Sequence, residues 1–160
     1  MIEIKKHSGI YTLTVMQQLP IGLSEAWEFF SSPKNLERIT PDHMGFIITS
    51  GKPGKMYPGQ IISYKVSPLS GVKTSWITEI THVKEGEYFV DEQRFGPYRM
   101  WHHEHHFEEN DQGVLMTDKV SYKIPFGFLG SIAQILFVKK QLKGIFEYRV
   151  KVLDEMFQKG

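Results

Sequence analysis

Apolar and polar positions alternate along much of this chain and then change period near its end. Tyr11, Leu13 and Val15 alternate with threonines, which predicts an opening strand ended by Pro20. In "LSEAWEFFSSP", Ser24 is placed to cap a short helix. Ala26, Trp27, Phe29 and Phe30 give that helix its spacing up to Ser32-Pro33, so it covers about 24–32. "KNLERITP" predicts a second short helix over about 34–39, closed before Pro41. "SGKPGKMYPGQ" is broken by Gly and Pro and reads as a loop. Four strand-like segments follow, Gln60 to Val66, Lys73 to His82, Tyr88 to Phe95 and Tyr98 to Glu108. A fifth, Val114 to Ile124, is joined to the fourth by the turn "ENDQG". From Leu129 to Phe157 there is no proline, and apolar residues recur at Ile135, Val138, Leu142, Ile145, Phe146, Val150, Leu153, Met156 and Phe157. That is one amphipathic helix of roughly 28 residues, about 42 Å long at 1.5 Å per residue.

Strands that run consecutively form hairpins and meanders, so the sheet is antiparallel and the class is α+β. A curved sheet with one apolar face and a helix with one apolar stripe must cover each other, and a cavity can remain between them. Side chains on a strand alternate in direction. Trp101, His103, His105 and Phe107 therefore share the inward face, and His102, Glu104 and His106 the outward one. On the next strand Met116, Asp118, Val120 and Tyr122 face inward. The turn pairs His105 with Met116, His103 with Asp118 and Trp101 with Val120. Phe89, Asp91, Gln93 and Phe95 form the inner set of the strand before, and Trp76, Thr78 and Ile80 that of the strand preceding it. The expected cavity is walled by Trp76, Phe89, Trp101, Phe107 and Tyr122 and carries Asp91, Gln93, His103, His105 and Asp118. Buried polar groups need partners, so this cluster either satisfies itself or awaits a ligand.

Composition narrows the classes. The chain has 160 residues and reads as a single domain over 1–160, with 41% hydrophobic residues, 23% charged and a formal charge of +1. That charge gives no field suited to nucleic acid. There is no cysteine, which excludes disulfides and thiolate chemistry. The N-terminus has no apolar stretch of a secretory signal, and "FGFLGSIAQILFV" is too short to span a bilayer, so a cytoplasmic protein is expected.

The segments "FVDEQRFGPYRMWHHEHHFE", "LMTDKVSYKIPFG" and "FVKKQLKGIFEYR", preceded by "SPKNLERITP", resemble the START-like (SRPBCC) superfamily. This is the helix-grip group that includes polyketide cyclases, plant pathogenesis-related allergens and lipid-transfer domains. Within it the chain is similar to a bacterial branch described as cell-division-inhibitor-like. The spacing G-P-[aromatic]-x-x-W-x-H-x-[HTE]-x-F lands on Gly96, Pro97, Tyr98, Trp101, His103, His105 and Phe107. The resemblance implies a seven-stranded antiparallel sheet wrapped around the C-terminal helix, with a hydrophobic pocket between them, so six to seven strands are expected, with the two short helices after the first strand. It supplies no reaction.

Three functions compete. The first is a binding module that holds a small hydrophobic or amphipathic molecule through Trp76, Phe89, Asp91, Gln93, Trp101, His103, His105, Phe107, Asp118 and Tyr122. Early turns of the long helix, around Ile132 to Leu136, would also touch it. The second is a cyclase- or dehydratase-like enzyme with His103 and Asp118 as the catalytic candidates. The third is a protein-interaction domain without a ligand, and a homodimer stays open. The first is preferred, and no cofactor is expected. His103, His105 and Asp118 could supply three ligands to a metal, but none is expected there. A carboxylate against an imidazole favours its charged form, so the pair predicts a His103 pKa above the ordinary value of about 6.5.

Overall fold

The computed structural model describes residues 2–51, 54–69, 72–125, 132 and 137–157. Eight strands form one antiparallel sheet. They are β1 (Ile2–His7), β2 (Ile10–Leu19), β3 (Ile47–Ile48), β4 (Gln60–Leu69), β5 (Val72–Lys84), β6 (Tyr88–Phe95), β7 (Met100–Asn110) and β8 (Gly113–Lys123), in the order β1-β2-β8-β7-β6-β5-β4-β3. Helices α1 (Leu23–Phe30) and α2 (Pro33–Arg38) follow the second strand, and α3 (Lys139–Phe157) lies across the concave face. The α+β class expected from the alternating pattern and the helix-grip arrangement implied by the resemblance are thus present.

Among the described residues the strand count is eight rather than six to seven. Two strands escape the sequence pattern for different reasons. β1 is an exposed edge strand, with burial confined to alternate positions near its start, so its alternation is weak. β3 has two residues, too few to carry any period. The β1–β2 turn is tight, and Ser8 (φ 50°) and Gly9 (φ 79°) both take the left-handed conformation of a two-residue hairpin turn.

The first helix begins one residue before Ser24. Gly22 is the N-cap, in extended conformation and with no side-chain cap, and Ser24 sits in the first turn. Pro33 at the first position of α2 supplies the fixed φ that starts that helix. The expected helix start at Leu129 and the contacts of 133–136 lie outside the described residues. Ile132 is helical and 42% exposed.

Two apolar clusters seat α3. Leu153 packs with Leu19, Ala26, Trp27, Phe107 and Met116. Leu142 and Phe146 pack with Leu13, Val15, Val120 and Tyr122. Burying a side chain of this size contributes about 1.5–3 kcal/mol, so these few residues dominate the attachment of the helix. A polar tie adds direction: Gln17 Nε2 on β2 donates to Val150 O at 2.9 Å and to Asp154 Oδ1 at 2.8 Å.

The β7–β8 register differs from the expected one by two residues. Asn110 pairs with Gly113, so only Asp111 and Gln112 form the turn, and Phe107 faces Met116, His105 faces Asp118, His103 faces Val120 and Trp101 faces Tyr122. A shift of two keeps every side chain on its face. A β-bulge between Ile77 and Thr78 has the opposite effect: Phe95 pairs with the outer-face Ile77 and is 60% exposed, not inward. No helix among the described residues is long and apolar enough to cross a membrane.

Candidate functional site

The sheet, α3 and the α1–α2 segment line a partly open cavity of about 160 Å³. Its walls come from most of the elements, including Phe29 and Phe30 of α1, Met44 and Phe46 before β3, and Ile62, Tyr64 and Val66 of β4. Trp76, Thr78 and Ile80 of β5, Phe89 of β6, Trp101 of β7 and Ile145 of α3 add to them. The rings interlock: Trp76 stands edge-on to Trp101 with centroids 5.2 Å apart, and Tyr98 lies 4.8 Å from Trp101. An apolar cavity near 150 Å³ is large enough to take a benzene ring.

One wall is charged. It is built where β6, β7 and β8 run side by side beneath α3. His103 and His105 are 5% and 7% exposed, Asp118 4% and Arg149 7%, and the Asp91 side chain 15%. The bonds run diagonally across the register. Asp91 sits opposite His103 but accepts a hydrogen bond from His105 Nε2 at 3.0 Å. Asp118 sits opposite His105 but accepts one from His103 Nε2 at 2.9 Å. His105 Nδ1 is also 2.9 Å from Asp118 Oδ1, at an angle too poor for a hydrogen bond, so that contact is electrostatic. Arg149 Nη1 lies 3.5 Å from Asp118 Oδ2, and its guanidinium covers the Phe146 ring at 4.7 Å.

Two carboxylates face one guanidinium, which leaves one negative charge for the imidazoles to balance. The two rings divide that task. Burial pushes His103 below the ordinary imidazole value, neighbouring His105 pushes it further, and the bond to Asp118 does not compensate. Burial acts on His105 in the same sense, but Asp118 and Asp91 together outweigh it and raise its pKa. The expectation for His103 is therefore reversed. It touches its carboxylate, yet the second imidazole beside it takes the proton, because two like charges with ring centroids 3.7 Å apart disfavour each other. Burial alone would raise Asp118, but the hydrogen bond from His103, the close contact with His105 and the charge of Arg149 hold it well below the ordinary carboxylate value. Asp91 is lowered in the same way. Tyr64 shares a hydrogen bond of 3.0 Å with Thr78, and burial pushes its phenol far above the usual range.

Of the ten residues expected at the site, Trp76, Phe89, Asp91, Trp101, His103 and His105 line the cavity, and Gln93, Phe107, Asp118 and Tyr122 do not. Gln93 instead clamps the β6–β7 turn: its Nε2 donates to Tyr98 O at 2.7 Å and its Oε1 accepts from Tyr98 N at 3.2 Å. A Cβ on Gly96 would collide with that side chain and push it off its bonds to Tyr98. Phe107 belongs to the core around Trp27, Tyr122 packs between Tyr11 and Tyr98, and Asp118 stands behind the imidazoles.

Arg149 was missed, although a signal existed. Leu142, Phe146, Arg149 and Leu153 follow a 4-3-4 spacing, so Arg149 occupies an apolar-stripe position of α3 and is buried with the rest. Tyr64 and Tyr98 were also missed. Tyr64 lies in the inner set Ile62, Tyr64 and Val66 of β4, whose faces were not assigned.

No family model matches the chain, and no curated protein sequence matches it. Solved structures do. The chain is similar to protein Ms6760 from Mycobacterium smegmatis (16% identity, TM-score 0.67, covering 98% of this chain and 99% of that one). It is also similar to TTHA0849 from Thermus thermophilus (13%, 0.67, 90% and 94%) and to a protein from Arthrobacter aurescens (11%, 0.69, 96% and 91%). Likeness at these identities shows a shared fold, a helix-grip-like antiparallel sheet found in many bacterial proteins, and nothing of function.

Proposed function

We propose that this chain is a small-molecule binding module of START-like (SRPBCC) type. The observation that supports it best is the cavity of about 160 Å³, walled by aromatic rings and bounded on one side by the Asp91–His103–His105 wall. Apolar walls with a few convergent polar groups are the usual make-up of a ligand pocket. The occupant that suits it is an aromatic or otherwise apolar molecule carrying one or two polar groups. Its ring would lie against Trp76, Phe89 and Trp101, and its polar group would meet the imidazole wall. The resemblance of the β6–β8 segments to the superfamily supports the same reading.

The test is calorimetric titration of chelator-treated protein with 2-naphthol, a fused aromatic with one hydroxyl. Saturable binding to one site is expected. Ile145→Trp, which fills the cavity from α3, should weaken binding by more than about tenfold. Absence of saturation, or equal affinity in the variant, would remove the reading.

A further inference from the structure

Each of the two inner imidazoles has one nitrogen turned toward Asp118 and one toward Asp91. His103 Nε2 and His105 Nδ1 are both 2.9 Å from Asp118 Oδ1. On the other side, His103 Nδ1 is 3.6 Å and His105 Nε2 3.0 Å from Asp91 Oδ2. One ligating atom from each of Asp91, His103 and His105 lies within 4.8 Å of the other two. These three residues line the cavity, and Asp118 does not. We propose that Asp91, His103 and His105 form a binding site for a divalent transition-metal ion at the charged wall of the cavity, with Asp118 orienting both imidazoles from behind.

Four observations carry this. The donor set comes first: two imidazoles and a carboxylate suit zinc or ferrous iron, whereas magnesium and calcium prefer oxygen alone. Spacing is the second. Bonds of about 2.0–2.2 Å place neighbouring ligand atoms about 3.0–3.5 Å apart. His105 Nε2 lies 3.0 Å from Asp91 Oδ2, at the lower edge of that interval, His103 Nδ1 lies 3.6 Å from it, just beyond the upper edge, and all three ligand atoms lie within 4.8 Å of one another. The third is the arrangement behind the ligands. Metal-binding histidines hold their other ring N–H to a carboxylate. Here one carboxylate, Asp118, faces the far nitrogen of both rings. With its proton on Nε2 toward Asp118, His103 turns the Nδ1 lone pair at Asp91 Oδ2. Two acceptors then face each other, and a cation between them would satisfy both. The fourth is rigidity, because the ligands stand on paired strands, with Asp91 opposite His103 and His105 two residues on.

Arg149 is the cation that faces the cluster from α3. Its Nη1 approaches Asp118 Oδ2, the carboxylate oxygen not shared by the imidazoles; Arg149 also lines the cavity, and its charge acts on Asp91. Binding a metal would displace the proton on His105 Nε2 to the buffer and leave the other on Nδ1, 2.9 Å from Asp118 Oδ1. Three protein ligands leave positions open toward the cavity for water or for a donor atom of the occupant. The set weighed from the sequence had Asp118 as third ligand; the fold puts Asp91 in that place and moves Asp118 behind the rings.

The test is titration of chelator-stripped protein with Co²⁺, read by its visible d–d absorption, and with Zn²⁺ by calorimetry. One equivalent is expected to bind. Loss of a ligand in Asp91→Asn or His105→Gln should cost more than the roughly 10–100-fold expected for the positioning variant Asp118→Asn. Circular dichroism on each variant confirms folding, and Asp91→Asn keeps the shape of the side chain should His105→Gln fail to fold. The outer variant His102→Gln/His106→Gln should bind as wild type does. No saturable one-to-one binding in wild type, unchanged affinity in Asp91→Asn and His105→Gln, or loss of binding in the outer variant would each overturn the assignment. Because 2-naphthol binding is measured with chelator present, failure of the metal site leaves the cavity reading standing, and the converse holds.

Discussion

His103 and His105 have side chains 7% and 9% exposed, while those of His102 and His106, each one residue away, are 31% and 38% exposed. The residue type, strand and local sequence are the same, and only the direction of the side chain differs. On the outer face His102 meets Glu92 and His106 meets Glu104, in a row that also holds Arg94 and Lys119. Water screens that row, and losing one member leaves the others solvated. On the inner face two carboxylates, two imidazoles and a guanidinium are shut away together, and each is tolerated because of the others. The comparison shows that histidine count says little about chemistry until the alternation of the strand has sorted the side chains.

Breaking the two faces should give unequal costs. Asp118→Ala leaves His105, Arg149 and His103 without the carboxylate they share, and the loss of one partner of a buried charge network costs about 3–5 kcal/mol. Urea denaturation measures this, and a cost under about 1 kcal/mol would mean that the cluster is not held as a unit. Glu104→Ala, which removes the contacts to Lys119, His106 and His102, should cost about 0–1 kcal/mol in the same assay. His102→Gln and His106→Gln should stay within about 0.5 kcal/mol of wild type.

The inner pair can also be sharpened by pH, with a chelator present throughout. In a histidine NMR titration His105 should titrate above about 6.5 and His103 below it. The signs then oppose each other. The raised pKa of His105 gives stability that is full below the unfolded value and is lost as pH rises through the folded one. The lowered pKa of His103 gives stability present above the unfolded value and lost as pH falls through the folded one. Asp118 acts in that second sense at acidic pH, above and below the ordinary carboxylate value of about 3.9. Near pH 6.5 the two histidines therefore partly cancel, and Asp118→Asn should bring their titrations closer together. Identical titration of both rings in wild type and variant would dissolve the coupled pair.

The strands from β4 to β8 and the inward set Trp101, His103, His105 and Phe107 were legible because alternation survives wherever one face is buried. β1 was not, because at an exposed edge alternation has nothing to sort. Phe95 was misread because a bulge inserts a residue that no periodicity contains. Arg149 was overlooked because a charged residue in an apolar stripe reads as an exception, although its spacing placed it with Phe146 and Leu153. The proton distribution between His103 and His105 was beyond sequence reasoning. It depends on which imidazole approaches both carboxylates more closely, His105 at 3.0 and 2.9 Å against 3.6 and 2.9 Å for His103, and that is settled by diagonal contacts across three strands. Asp91 illustrates the same limit: its place on the inner face was readable, but not that it and Asp118 would take opposite sides of the same two rings.

The central claim is that the inner face of β7 meets a small molecule and the outer face does not. The direct measurement is a two-dimensional NMR spectrum of the histidine rings, recorded on chelator-treated protein with and without saturating 2-naphthol. The account predicts that the ring signals of His103 and His105 shift while those of His102 and His106 stay in place. Shifts confined to His102 and His106, or no shift at any of the four, would contradict it.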